Sequence, residues 1–133
     1  MNFVDSNIIL YSLLAEQAPV KHAIAIALLK SGDIILSTQV VGEVSAVLTR
    51  KSSLSNDDVR RIADDLFIRY PVFTVEKADM LEALSIRSSY QLSYWDSLIV
   101  AVALRAGAEI LYSEDTHDGL VIRGRLTIRN PFK

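Results

Sequence analysis

Cysteine is absent from the 133-residue chain, which excludes disulfides and thiolate metal sites and suits a reducing cytoplasm. No apolar stretch approaches the ~18 uncharged residues that a membrane-spanning helix needs. The start, MNFVDSN, has no basic residues ahead of an apolar run and does not read as a signal peptide. Repeats, low-complexity segments and interdomain linkers are missing. The two histidines, His22 and His117, have no H-x-x-x-H spacing and make no zinc pair. A strong charge of either sign is also lacking. Fourteen Lys and Arg against sixteen Asp and Glu leave a net charge of −2, so local distribution has to indicate a partner.

Apolar residues, by contrast, make up 50% of the chain, enough for a sizeable core. The length suits one domain over residues 1–133. Short β-type runs alternate with longer helical ones. Asn2 to Val4 is a brief strand ending at Asp5, followed by helices at Asn7 to Leu14 and Pro19 to Lys30, with Pro19 suited to a first turn. Asp33 to Leu36 reads as a buried strand and Gln39 to Arg50 as the next helix. Ser55 and Asp58 have capping-box spacing and open a helix reaching about Arg69. Val72 to Val75 is a strand, Lys77 to Tyr90 and Ser93 to Ala106 are helices, and Ile110 to Tyr112 is a strand. A polar turn, Ser113 to Gly119, precedes a last strand at Leu126 to Ile128. Strands separated by helices predict an α/β fold, a mostly parallel sheet covered by helices on both faces. Sites in such sheets form beyond the carboxyl ends of the strands.

Acidic residues sit at those ends. Asp5 follows the first strand, Ser113-Glu114-Asp115 follows Ile110 to Tyr112, and Asp96 and Glu43 lie on helices. Each has a structural explanation. Asp5 suits a βα-turn cap, Asp96 stands three residues after Ser93 as in a capping box, Glu43 suits a solvated helix face, and Asp115 suits a turn. At 100° per residue, however, Glu43 borders the Val40-Val44-Val47 stripe, and Asp96 shares its face with Ile99, Val100 and Ala103. Four converging carboxylates would raise one another's pKa values, and no Lys or Arg flanks Asp5, Glu43 or Asp96. A hard divalent cation, Mg²⁺ or Mn²⁺, resolves that conflict, because it takes oxygen ligands and bridges carboxylates to phosphate.

Four segments, FVDSNIILY, QVVGEV, YWDSLIVAVAL and ILYSEDTHDG, followed by VIRGRLTIRNPFK at the end, resemble in order the motifs of a PIN domain. More closely, they resemble a VapC-type toxin of a toxin–antitoxin pair. The resemblance implies a PIN-like three-layer α/β/α fold. It assigns Asp5, Glu43, Asp96 and Asp115 as the acidic metal site, with Asn7, Ser97 and Ser113 as supporting polar groups. Glu114 is expected to face outward, and Asp118 ranks below the four as a further acid. The implied activity is Mg²⁺- or Mn²⁺-dependent endonucleolytic cleavage of structured RNA, tRNA or rRNA. The implied partners are a cognate antitoxin and a second copy of the chain as a homodimer, in a larger toxin–antitoxin complex, in the cytoplasm and away from membranes.

An acidic pocket needs basic residues at its rim if RNA is to approach. Arg50-Lys51, Arg60-Arg61 and the tail cations Arg123, Arg125, Arg129 and Lys133 are candidates. Tyr94 and Trp95 can stack on a base, although Trp95 beside a buried helix is more commonly core. The early helices Ile8 to Leu14 and Ala23 to Leu29 can offer a groove to a partner helix or fill the monomer core. The competing functions are a PIN nuclease of RNA maturation or turnover and a non-catalytic RNA-binding module. A receiver-type module would call for a Lys after a late strand, and none is present.

Overall fold

The computed structural model describes every residue from Met1 to Lys133. Its elements in chain order are β1 (Asn2–Val4), α1 (Ser6–Leu13), α2 (Pro19–Lys30), β2 (Ile34–Ser37), α3 (Thr38–Lys51) and α4 (Asn56–Arg69). They continue with β3 (Val72–Phe73), α5 (Lys77–Tyr90), α6 (Tyr94–Arg105), β4 (Ile110–Tyr112), β5 (Val121–Ile122) and β6 (Leu126–Arg129). The six strands form one sheet in the order β3-β2-β1-β4-β6-β5, and only β5 runs antiparallel, against β6. The predicted parallel sheet with flanking helices is therefore the observed one. Sequence reading missed β5, whose two residues are too few for alternation to register.

Chain connectivity explains the layers. The crossovers β1→β2 through α1 and α2, and β2→β3 through α3 and α4, step outward in one direction. The crossover β3→β4 through α5 and α6 returns past β1. Right-handed crossovers then place α1 to α4 on one face of the sheet and α5 to α6 on the other. Packing follows this division, with α1 against α2 and α3, α3 against α4, and α5 against α6. The direction reverses around β1, so the crevice for a site lies beyond the carboxyl ends of β1 and β4. The register holds those ends level, with Asn2 opposite Ile110 and Val4 opposite Tyr112. No helix is long and apolar enough to cross a membrane.

The core is centred on α6. Every residue from Ser97 to Leu104 is buried there, against Phe3, Val4, Ile35, Leu36, Leu111 and Ile128 from the central strands. Caps set the helix starts. Pro19 occupies the first turn of α2, and Ser55 and Asp58 form the predicted capping box of α4. One charge in this region was not foreseen. Asp79 on α5 is only 3% exposed. Its carboxylate accepts from Arg105 Nε and Nη2, both at 2.9 Å, and from the Glu76 backbone N–H at 2.9 Å. Residues 26 apart in sequence become an ion pair only once α5 packs on α6.

Helix α5 ends with Gln91 in the left-handed region, at φ 58°. A side chain in that conformation is disfavoured, and glycine is not. Gln91→Gly should stabilise the protein by roughly 0.5 kcal/mol, the excess of relieved strain over added unfolded-state entropy. A urea midpoint at or below that of the wild type would refute this.

Candidate functional site

Asp5 sits where β1 gives way to α1, its backbone N–H donating to Tyr112 O at 2.9 Å. It caps α1 and also faces the switch-point crevice. Its Oδ1 accepts from the Ser6 N–H and its Oδ2 from Ser113 Oγ, both at 2.7 Å. Burial pushes its pKa up from 3.8 to about 6, against the lowering effect of the Ser113 and Ser6 hydrogen bonds. Glu43 and Asp96 raise it further by charge repulsion. The cap of α1 and the first candidate acid are thus one residue.

Glu43, on α3, joins Asp5 through one hydroxyl. Ser6 Oγ lies 3.1 Å from Glu43 Oε2 and 3.4 Å from Asp5 Oδ1. Gln39, one turn earlier, donates to Glu43 Oε1 at 2.8 Å and to the Trp95 carbonyl at 3.1 Å. Asp96 lies in the first turn of α6. Its backbone N–H donates to Ser93 Oγ at 3.1 Å, while the reciprocal bond of a capping box is not made. Burial raises its pKa, the Ser93 hydroxyl lowers it, and Asp115 raises it. Asp115 is exposed, with its Oδ2 accepting from Asn7 Nδ2 at 3.0 Å and its N–H donating to Ser113 Oγ at 3.2 Å.

The four acids therefore come from β1, α3, α6 and the β4–β5 turn and surround one end of the sheet. Ser6 bridges Asp5 and Glu43, Ser113 bridges the Asp5 carboxylate and the Asp115 backbone, Asn7 reaches Asp115, and no hydrogen bond joins Asp96 to the other three. Ser6 and Gln39 were not singled out in the sequence, although Ser6 stands beside Asp5 in the same quoted motif. Ser97 is fully buried behind the site, and its Oγ has no hydrogen-bond partner. Asn7 Oδ1 is also buried without one.

The donor set suits a hard cation. Every group is an oxygen ligand, and none of the protein's ion pairs involves Asp5, Glu43, Asp96 or Asp115. The negative charge is without an internal cation, and Asn7, whose Nδ2 reaches Asp115, has its buried Oδ1 without a partner. No three of the acids and histidines close on a common point.

Other candidates fall elsewhere. Glu114 does not face outward. Its Oε1 accepts from Tyr11 Oη at 2.7 Å and its Oε2 from Lys21 Nζ at 2.5 Å, because the turn folds back on α1 and α2. Asp118 accepts from the Asn130 N–H at 2.9 Å and ties the turn to the tail. His22 Nδ1 lies 2.9 Å from the Tyr11 carbonyl.

The basic tail is divided. Arg123 and Arg125 flank the β5–β6 turn at the amino end of β6, away from the acids, and Arg123 pairs with Glu82. Arg129 is level with Tyr112 at the site end, its carbonyl accepting from the Ser113 N–H at 3.0 Å. Lys51 shares a cleft with Asn7, Tyr11 and Gln17. Trp95 is not core; it is 64% exposed.

Comparison with known proteins agrees with this architecture. The family model described as the PIN domain matches residues 3–118. Among solved structures, a toxin–antitoxin complex from Klebsiella pneumoniae aligns at TM-score 0.74 and 19% identity, over 98% of each chain. The structure of FitAB bound to an IR36 DNA fragment aligns at TM-score 0.72 and 18% identity, over 100% of this chain and 96% of that one. VapC20 of Mycobacterium tuberculosis, described as a sarcin-ricin-loop-cleaving toxin, aligns at 0.67 and 20%, over 86% and 90%. No curated protein sequence matches the chain.

Proposed function

The chain belongs to the PIN-domain family, and from that premise we propose that it is a Mg²⁺- or Mn²⁺-dependent endoribonuclease acting as the toxin of a toxin–antitoxin pair. The observation that best supports the nuclease reading is a set of carboxylates at the switch point of the sheet that no Lys or Arg pairs with: buried Asp5 feels the charge of Glu43 and Asp96, and Asp96 that of Asp115.

When bound, a divalent cation supplies Lewis acidity toward a phosphoryl oxygen and acidifies a water. Asp5, Glu43, Asp96 and Asp115 are the residues that would hold it. The protein's own contribution is orientation. Ser6 fixes Asp5 relative to Glu43, Asn7 fixes Asp115, and Ser113 joins the β1 and β4 ends. A carboxylate whose pKa burial has raised, as at Asp5 and Asp96, is suited to accept a proton from water. Lys51 and Arg129 are the basic residues at the site's rim for phosphate contact.

The toxin reading rests on the fold shared with toxin–antitoxin structures and on a cleft of about 530 Å³ between α1, α2 and α4, where Ile9, Leu13, Ile26, Leu29 and Leu66 are joined by the charged Lys30, Asp65 and Arg69. That cleft suits the apolar face of an antitoxin helix. Pairing of two copies as a homodimer completes the proposal.

Purified protein incubated with structured tRNA or rRNA should cut it with Mg²⁺ or Mn²⁺ and not with EDTA. Asp96→Asn should lose roughly 10²-fold or more in rate with its fold intact, as for removal of one group that acts on the transition state. Equal cleavage by the wild type and a folded Asp96→Asn would remove the site assignment. Expression should arrest growth, and the small reading frame beside the gene should relieve the arrest. Cleavage without growth arrest would point instead to a PIN nuclease of RNA maturation.

A further inference from the structure

We propose that Trp95 and the facing stretch of α3 form a stacking slot for one unpaired base of the RNA. This rests on the nuclease reading and names the kind of nucleotide it takes. Trp95 is the only tryptophan in the chain, and 64% of it is exposed on the residue next to Asp96. An indole left in water forgoes the largest apolar burial available to any side chain, so its place at the edge of the acids calls for an occupant. The ring is not loose. Tyr94 packs edge-on against it, with centroids 5.1 Å apart and planes at 79°.

The indole faces a prepared surface. Gln39, Gly42, Glu43, Ala46 and Trp95 line one open cleft of about 510 Å³. Gly42 and Ala46 stand one turn apart on α3, and a Cβ built on Gly42 would meet nothing within 4 Å. The helix therefore leaves space where almost any other residue would place a side chain. Gln39 ties the two walls together, donating to the Trp95 carbonyl and to Glu43 at 3.1 and 2.8 Å. Both partners are acceptors, so the amide nitrogen must face them. The slot is coupled to the site through Glu43, which belongs to both.

Charge selects the occupant. The lining of the slot contains no Lys or Arg to hold a phosphate: it is Gln39, Gly42, Ala46, the indole and the Glu43 carboxylate. Apolar ring faces on one side and small residues on the other suit a planar heterocycle. Stacking is open to every base and closed to a base already paired in a helix. The slot thus selects an unpaired or extruded nucleotide adjacent to the cut, not a particular letter.

The single tryptophan makes the test direct. The full chain, first without metal and then with magnesium, is titrated with a short adenosine oligoribonucleotide and with an abasic oligomer of equal charge. The base-bearing oligomer should quench indole emission, and the abasic one should not. Trp95→Ala should lower kcat/KM on a loop-containing RNA roughly 10- to 100-fold, the size of one lost base–aromatic stack. Trp95→Phe should recover most of this loss, and Gly42→Leu, which fills the slot, should reproduce it. Equal quenching by both oligomers, or wild-type kcat/KM in Trp95→Ala, overturns the slot. So does a Trp95→Ala variant whose sole defect is weaker capture of the neighbouring gene product, which would assign the patch to that protein. Base-dependent quenching in a protein that cleaves nothing sustains the slot and removes the nuclease reading instead.

Discussion

Asp5→Asn should abolish RNA cleavage and, at the same time, make the metal-free protein more stable. The two effects share one cause. Asp5 is 4% exposed, and its ionised form is disfavoured first by burial and then by Glu43 and Asp96, so its pKa lies at about 6. The unfolded chain ionises Asp5 near the ordinary value of 3.8. The unfolded state therefore releases its proton first as pH rises. Stability from this group is complete below about pH 4, falls between about 4 and 6, and stays low above. A shift of this size corresponds to roughly 3 kcal/mol at pH 7.5. Asparagine has no charge to desolvate and keeps an oxygen for the Ser6 N–H, so about 2 kcal/mol of that deficit should return.

Cleavage should nevertheless fall by on the order of 10³-fold or more, because the central anionic oxygens are gone. Urea denaturation at pH 5 and pH 7.5 with EDTA, beside a cleavage assay, measures both. A less stable Asp5→Asn at pH 7.5 would contradict the electrostatic account. Magnesium at tenfold its Kd should stabilise the wild type by about 1.4 kcal/mol at pH 7.5, and Asp5→Asn far less.

Arg105→Leu should cost about 2 kcal/mol of stability and leave the acids at the sheet's end untouched. The guanidinium donates twice to Asp79 and once to the Thr74 carbonyl, and stands 5.7 Å from the Phe73 ring centre. Removing one partner of a buried pair strands the other, which costs 3–5 kcal/mol in general. About a third of the Arg105 side chain is exposed, so water screens the pair and the lower figure applies. Asp79→Asn in the same chain should return part of the loss, because no charge is then stranded. The pairing also holds the Asp79 pKa below its usual range, the Arg105 hydrogen bonds being the largest cause. Its contribution is present above about pH 4 and fades as pH falls through the depressed value. Additive losses in the double variant, measured by urea denaturation, would show that the two residues do not act as a pair.

The elements were legible because their signals are local. Pro19 starts α2 where a first-turn proline belongs, Ser55 and Asp58 cap α4, and the Ile110 to Tyr112 run is apolar between polar turns. The strand-end position of Asp5 could be read in the same way, since it follows from where β1 stops. Side-chain direction could not. Glu114 and Asp115 are adjacent in one turn, yet the first folds back onto Tyr11 and Lys21 while the second meets Asn7. Trp95 belongs to the same helix as eight buried residues, from Ser97 to Leu104, and only its position at the helix's open end exposes it.

By itself the sequence determined the alternation of strands and helices, the absence of any cysteine thiol, and the family to which the motifs point. These depend on residue type and on spacing within a few turns of chain, where propensity and pattern act directly. Tertiary structure alone decided that Asp5 lies near Glu43 and Asp96, that Ser6 couples Asp5 to Glu43, that Arg105 neutralises Asp79, and that Arg123 and Arg125 lie at the opposite end of the sheet from Arg129. Each of these joins residues through strand order and helix packing, and strand order is set by the crossovers of the whole chain. The same holds around Asp5: a carboxylate after a strand is a cap, and only the fold sets Glu43 and Asp96 near enough to raise its pKa.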